Sequence, residues 1–189
     1  MYIKEINLSN FRNYQEQKIE LDKGINIFYG DNAQGKTNII ESIFLCSMGK
    51  SFRSKKDKEL INFNELSTTV KIDYEKQDRS GTIKVEIGEK KEFFSNGVKQ
   101  AKVSNIVGKI NMVIFSPDDI DIIKEGPGKR RKFIDMMISS LKPNYIHLLN
   151  TYNKNLEQRN NYLRQIKFEN KKSEMLDIWD EQLAEYSYK

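Results

Sequence analysis

The segment from Gly30 to Thr37 carries the residues of this chain whose types and spacing best fit a chemical role. It matches the phosphate-binding pattern G-x-x-x-x-G-K-[ST] at every fixed position. Lys36 can reach the β- and γ-phosphates of a nucleotide, and the Thr37 hydroxyl can ligate Mg²⁺. The predicted phosphate contacts are Gly30, Asp31, Asn32, Ala33, Gln34, Gly35, Lys36 and Thr37.

The residues on either side of this loop have the pattern that such a motif needs. The apolar run at residues 25–29 is typical of a short buried strand. A helical pattern runs from Lys36 to about Met48, and Gly49 is a plausible stop. Strand, loop and helix together would point backbone N–H groups into one concavity, where the helix N-terminus adds partial positive charge.

Antiparallel strands are predicted before and after this unit. A first strand over residues 2–8 and a second over residues 15–21 would pair with each other. Residues 50–66 are basic and irregular. The sequence then predicts strands at 68–74, 82–87 and 92–95, followed by a hairpin turn at Asn96-Gly97.

Hydrolysis in proteins with this loop also needs an acidic motif, in which an apolar strand ends in Asp or Asp-Glu. Residues 110–115 have a buried-strand pattern, but Asp118 and Asp119 come later, after Ser116 and Pro117. Because Ser, Pro and acidic residues in this order are typical of a helix start, we interpret the two carboxylates as caps rather than metal ligands. We assign no catalytic residue within the chain.

Composition sets further bounds on the function. The formal net charge is +5, which allows a polyanionic partner without requiring one. Cys46 is the only cysteine, so no internal disulfide can form, and its apolar neighbours predict burial. No apolar run approaches the ~18 residues that a membrane span needs, and the N-terminus does not resemble a signal peptide. We expect a cytoplasmic protein without membrane contact.

The last part of the chain is predicted to be helical. After a break at residues 126–128, one helix begins with a basic cluster, a second runs over residues 143–168, and a third runs from about Ser173 to Tyr188. The last two helices form either an antiparallel arm or a hairpin packed on the core. We divide the chain into a first domain, residues 1–142, with a β-rich insert at about 50–105, and a truncated helical arm, residues 143–189.

Several strings resemble the RecF family of bacterial DNA replication and repair proteins. They are LSNFRNY at residues 8–14, GDNAQGKTN at 30–38, GKSFR at 49–53, FSPDD at 115–119, GPGKRRKFID at 126–135 and WDEQLAEY at 179–186. The resemblance covers essentially the whole chain, which corresponds to about the N-terminal half of a family member.

This resemblance implies an α/β fold: a fragment of an ABC/SMC-like P-loop NTPase head with an inserted antiparallel β-sheet and a C-terminal helical arm. It implies ATP and Mg²⁺ as cofactors, an ATP-dependent homodimer of the complete protein and weak ATP hydrolysis, with the signature and acidic motifs outside this chain. It adds Arg12, Asn13 and Asn38 to the residues expected to approach the nucleotide. Ala33 stands where many relatives have Gly.

The resemblance also implies DNA as a partner, single-stranded and gapped or double-stranded. It implies action with the RecO and RecR mediator proteins in loading recombinase, within DNA damage repair and the SOS response. Lys and Arg can bind the phosphate backbone without reading sequence. The candidate contacts are Arg53, Lys55, Lys56 and Lys58, and the cluster Lys129, Arg130, Arg131 and Lys132. The alternative for each cluster is a solvated basic face.

Two other functions fit the phosphate loop. One is a DNA-binding scaffold that does not hydrolyse ATP. The other is a small P-loop kinase acting on a metabolite, which would need an arginine-bearing lid. The region at residues 68–100 could form a lid, but its only arginine is Arg79.

Overall fold

A computed structural model of the protein describes residues 1–77, 79–124, 126–169 and 175–188, with the side chains of Asp118, Asp121, Pro143 and Glu169 left out. The chain forms two compact units, Met1–Glu125 and Gly126–Lys189. None of the described helices is long and apolar enough to cross a membrane.

The first unit contains one six-stranded antiparallel sheet in the order β2-β1-β3-β4-β5-β6. Its strands are β1 (Tyr2–Phe11), β2 (Tyr14–Glu20), β3 (Thr68–Lys76), β4 (Arg79–Ile87), β5 (Lys91–Ser95) and β6 (Val98–Gln100). The strands predicted at 68–74, 82–87 and 92–95 are confirmed. The two N-terminal strands belong to the same sheet, because β1 pairs with β3 through Ile6 opposite Ile72.

The sheet buries one face because apolar residues alternate along its strands. Helix α1 (Lys36–Met48) covers that face, as Ile39, Ile43 and Leu45 pack with the strand residues. The buried strand residues in this core are Ile6, Leu8, Phe11, Val70, Ile72, Ile83, Val85 and Ile87. The predicted helix and its stop are confirmed, since Gly49 caps α1 with φ +69° and donates from its N–H to Leu45 O at 2.8 Å.

Short elements connect these parts. The turn predicted at Asn96-Gly97 joins β5 to β6, with φ +50° at Asn96 and φ +79° at Gly97. In the described part of the chain, 3₁₀ turns occur at Asp57–Leu60, Val103–Asn105 and Pro117–Ile120, and the last leads into the short helix α2 (Asp121–Lys124).

Two predicted strands are wrong. Residues 25–29 have no regular secondary structure, and of the strand predicted at 110–115 only Ile110 is buried, in an isolated bridge with Val107. Ile25, Tyr29 and Val113 are between 90% and 97% exposed. A buried strand needs hydrogen-bonding neighbours and covered faces. The described residues provide no neighbouring strand and no covering surface for these two segments, although Phe28 and Met112 pack partly against the core.

The second unit consists of helices α3 (Pro127–Leu141), α4 (Pro143–Glu169) and α5 (Leu176–Tyr188). The Tyr145 hydroxyl on α4 donates to Asp135 Oδ1 on α3 at 2.6 Å. Helices α4 and α5 pack through the rings of Tyr162 and Trp179, whose centroids are 5.0 Å apart. The predicted start of the last helix at Ser173 lies outside the described residues.

Candidate phosphate-binding site

The loop of residues 30–35 leads directly into the first turn of α1. Gly30 has φ +137° and Gly35 has φ +98°, so both adopt backbone conformations that side chains disfavour. Ala33 also has a positive φ, +65°, which is strained for a residue with a Cβ. The first N–H groups of an α-helix have no partner within the helix. The loop and the start of α1 therefore bring backbone donors and partial positive charge to one place.

Lys36 and Thr37 lie where the motif predicts, in the first turn of α1. The Lys36 ammonium donates to the backbone oxygens of Gly30 at 2.7 Å and Asp31 at 2.5 Å, so it bridges back across the loop. Phosphate oxygens are charged acceptors and would be stronger partners for this cation than the two neutral carbonyls. The Thr37 side chain is exposed at the same helix end.

The turn between β1 and β2 lies against this loop. Asn13 Nδ2 donates to Gln34 O at 3.2 Å, and the Tyr14 hydroxyl donates to the same oxygen at 3.4 Å. A Cβ added at Gly35 would come within 2.7 Å of both Asn13 Oδ1 and the Tyr14 hydroxyl. A side chain at position 35 would therefore have to displace the Asn13 and Tyr14 side chains, in addition to adopting a strained φ angle.

Asn38 and Asn13 contact each other, and Arg12 lines the same cavity as these two residues while its guanidinium pairs with Glu41. Asn38 Nδ2 donates to Asn13 Oδ1 at 2.8 Å. The Arg12 guanidinium donates to both carboxylate oxygens of Glu41 and to Glu59 O. Whether Arg12 approaches a nucleotide stays a prediction.

An open cavity of about 720 Å³ lies beside the start of α1. Asn13 and Asn38 line it, together with the cations Arg53 and Lys58 and the apolar ring of Phe63. Phe63 is 87% exposed. The cavity thus combines amide groups, positive charge and an aromatic surface next to the phosphate loop.

Glu41 is the residue of this region that the sequence interpretation missed. Its side chain is fully buried, and it accepts hydrogen bonds from Arg12 and from Ser51. The available signal was a carboxylate inside the apolar run Ile39-Ile40-Glu41-Ser42-Ile43, since a buried charge needs a partner. The sequence did not show that the partner lies 29 residues earlier in the chain.

The two basic clusters differ in form. The side chains of Arg53, Lys55, Lys56 and Lys58 are exposed in the segment after α1, and Lys58 lies in its 3₁₀ turn. Arg53 Nη1 donates to Asn38 Oδ1 at 3.0 Å. The other cluster occupies four consecutive positions at the start of α3, so its side chains spread around the helix. Four cations at the positive end of a helix dipole oppose that dipole.

The capping interpretation of the acidic pair is confirmed for Asp119. Its Oδ2 accepts a hydrogen bond from the Ser116 N–H at 2.6 Å, just before the 3₁₀ turn. The Asp118 side chain lies outside the described residues. Among the residues that the structure does describe, no group of three His, Cys, Asp or Glu side chains could hold a metal ion.

The sequence of this chain is similar to those of known proteins. A family model described as an AAA domain matches residues 5–188. The DNA replication and repair protein RecF of Acetivibrio thermocellus is 46% identical over 189 residues, which are 99% of this chain and 51% of that protein. RecF of Thermoanaerobacter sp. (strain X514) is 49% identical over 191 residues, 100% of this chain and 52% of that protein. The chain spans about half the length of the curated relatives it matches.

Solved structures show the same fold. The structure of the recombination mediator protein RecF-ATPrS in the RecFOR pathway superposes on this chain with a TM-score of 0.93 and 45% identity, over 98% of this chain and 51% of that one. The structure of RecF-ATP in the same pathway gives the same TM-score and identity, and this chain covers 50% of its length. These matches confirm the predicted fold, a P-loop ATPase head of mixed α/β type with an antiparallel sheet and C-terminal helices.

Proposed function

Because the chain belongs to the RecF family of AAA domain proteins, we propose that it binds ATP with Mg²⁺ through residues 30–38. The observation that carries the proposal is the position of Lys36. Its ammonium lies across a glycine loop at the N-terminus of a 13-residue helix, held by two backbone carbonyls that phosphate oxygens can replace. The similar structures of RecF-ATP and RecF-ATPrS support the choice of nucleotide.

Each side chain at the site has a role in this proposal. Lys36 pairs with the β- and γ-phosphates, and the loop N–H groups bind the remaining phosphate oxygens. Thr37 would hold Mg²⁺, which supplies positive charge beside the phosphates when bound. The donor set fits a hard cation because the hydroxyl is exposed at the loop rather than bonded into the core. Asn13, Asn38 and Arg12 complete the predicted nucleotide contacts.

For the complete protein we propose a role in DNA repair and replication. ATP drives dimerisation of two heads, hydrolysis is weak, and the protein acts in the cytoplasm with RecO and RecR to load recombinase at single-strand gaps. Within this chain, residues 1–142 form part of the head and residues 143–189 begin the helical arm. The names of the relatives, and the RecFOR pathway named for one of them, support these roles.

DNA binding would use the two basic clusters. The exposed side chains of Arg53, Lys55, Lys56 and Lys58 lie in the segment that follows α1, the helix that begins at the phosphate loop. The cluster Lys129, Arg130, Arg131 and Lys132 supplies a second cationic surface. Contacts of this kind neutralise phosphates without reading bases and weaken as salt rises.

Calorimetric titration of MgATP tests the nucleotide site. We expect the parent chain to bind and Lys36→Ala to lose binding, because the pairing with two phosphates disappears. Lys50→Ala is the matched control, since it removes the same charge from an exposed position outside the loop. A Lys36→Ala chain that binds MgATP as tightly as the parent would refute the proposal.

A further inference from the structure

Glu41 is a buried carboxylate close to the phosphate loop that the proposed nucleotide contacts do not use. It lies on α1, five residues after Lys36, and its side chain has no exposed surface. Arg12 donates to it from Nε at 2.9 Å and from Nη2 at 2.7 Å. Ser51 Oγ donates to Oε1 at 2.5 Å, and Arg53 Nη1 stands 3.9 Å from Oε2.

One carboxylate therefore joins three separate pieces of chain. They are the β1–β2 turn through Arg12, the helix that carries Lys36, and the segment after α1 through Ser51 and Arg53. Arg12 has φ +55°, a conformation that costs energy in a residue with a Cβ. Arg12 is the first residue of the two-residue turn of the β1–β2 hairpin, where a positive φ is usual, and the bidentate pair with Glu41 holds its side chain in place.

The turn held by Glu41 is the same turn that supports the loop. Asn13 follows Arg12 directly and bonds to Gln34 O, and Tyr14 bonds to the same oxygen. Asn38 connects the turn to the segment after α1, since it donates to Asn13 Oδ1 at 2.8 Å and accepts from Arg53 Nη1 at 3.0 Å. The Arg53 N–H also donates to Ser51 Oγ at 2.9 Å. Hydrogen bonds therefore link the Glu41 carboxylate to Gln34 O of the loop, residue by residue through Ser51, Arg53, Asn38 and Asn13.

We propose that Glu41 is a positioning residue for the phosphate loop: by holding Arg12 and Arg53 in place, it fixes the turn and the amides that keep Gln34 and Gly35 in a phosphate-ready form. It acts through these neighbours and does not touch the nucleotide. The proposal rests on the nucleotide binding proposed above, but it also makes a claim about the chain without nucleotide.

The first test uses Glu41→Gln, which keeps the shape and removes the charge. We expect its Kd for MgATP to rise on the order of tenfold, because supporting hydrogen bonds are lost around the loop. Asn13→Ala, which cuts the link nearer to the loop, should weaken binding similarly. The double variant should weaken it by less than the product of the two effects, since both act on one path.

A control variant in the core distinguishes general destabilisation of the fold from a specific effect on the phosphate loop. Ile72→Val lowers stability within the buried sheet, away from this network. We expect it to leave the Kd unchanged at a temperature where it is as folded as Glu41→Gln. An unchanged Kd in Glu41→Gln, or a rise matched by Ile72→Val, would overturn the proposal.

The second test needs no nucleotide. Hydrogen exchange of the amides at residues 31–37 should be faster in Glu41→Gln and Asn13→Ala than in the parent, and unchanged in Ile72→Val. If the parent fails to bind MgATP while the exchange pattern is as expected, the proposed nucleotide function fails and the positioning role stands. Equal exchange in Glu41→Gln and parent would refute the positioning role.

Discussion

The guanidinium of Arg12 donates two hydrogen bonds to the carboxylate of Glu41, across 29 residues of sequence and in a place where the carboxylate has no exposed surface. Arg12 itself is partly accessible, with 20% of its side chain exposed. The pair therefore has one member that water can reach and one that depends entirely on protein groups for its hydrogen bonds.

This asymmetry predicts the effect of removing Arg12. Arg12→Ala should lower the free energy of unfolding by about 3–5 kcal/mol, because it leaves a buried charge without its main partner. Urea unfolding followed by circular dichroism measures the loss. Adding Glu41→Gln to Arg12→Ala should recover part of it, since the unpaired charge is then gone. A double variant less stable than Arg12→Ala alone would contradict this explanation.

Ala33 leads to a prediction in the opposite direction. Its φ of +65° is unfavourable for a residue with a Cβ. Ala33→Gly should therefore raise the free energy of unfolding by up to about 1 kcal/mol, the relief of strain exceeding the added freedom of the unfolded chain. Ala33→Val should lower it, because β-branched residues tolerate this region poorly. Thermal unfolding of the three chains tests the order, and a Gly variant below the parent would disprove the reasoning.

Much of the fold follows from local patterns, and the failures have a physical cause. Alternating apolar residues in β3 and β4, the Asn96-Gly97 turn and the glycine after α1 are signals that act within a few residues. The apolar run at residues 25–29 signals burial but cannot say what covers it. No described segment covers this run, and Ile25 is 90% exposed.

The candidate site divides in the same way. The loop and the start of α1 were predictable because the motif fixes their spacing. The hydrogen bonds from Asn13 and Tyr14 to the loop were not predictable, because they depend on how the β1–β2 turn packs against the loop in the folded protein. Contacts between residues distant in sequence leave no periodic pattern to find.

Gly30 and Gly35 differ in a way that substitution can expose. Both have positive φ, but a Cβ at Gly30 meets nothing within 4 Å, whereas one at Gly35 would contact Asn13 and Tyr14 at 2.7 Å. Gly35→Ala should therefore weaken MgATP binding more strongly than Gly30→Ala, by on the order of tenfold or more, because it displaces the Asn13 and Tyr14 side chains as well as straining the loop. Titration of MgATP into both variants measures the difference. Equal losses would show that the turn contributes nothing.

Cys46 should be chemically inert in the folded protein. It is fully buried, and burial raises the pKa of its thiol well above the usual range, so the reactive thiolate is suppressed. We expect no labelling by iodoacetamide at pH 8 under native conditions and complete labelling in denaturant. Mass spectrometry reports both. Rapid native labelling would show that α1 leaves the sheet.

The basic segment after α1 predicts how DNA binding responds to salt. If Arg53, Lys55, Lys56 and Lys58 bind phosphates, replacing all four with Gln should weaken binding of single-stranded DNA. It should also make the slope of log K against log salt shallower, by about 0.7 for each phosphate that is no longer neutralised. Replacing the exposed residues Lys23, Lys50, Lys90 and Lys102 with Gln is the matched control, because it changes the net charge equally elsewhere. Fluorescence anisotropy at several salt concentrations gives both slopes. Identical slopes in the two variants would mean that this segment is a solvated surface, and the search for DNA contacts would then turn to the cluster at the start of α3.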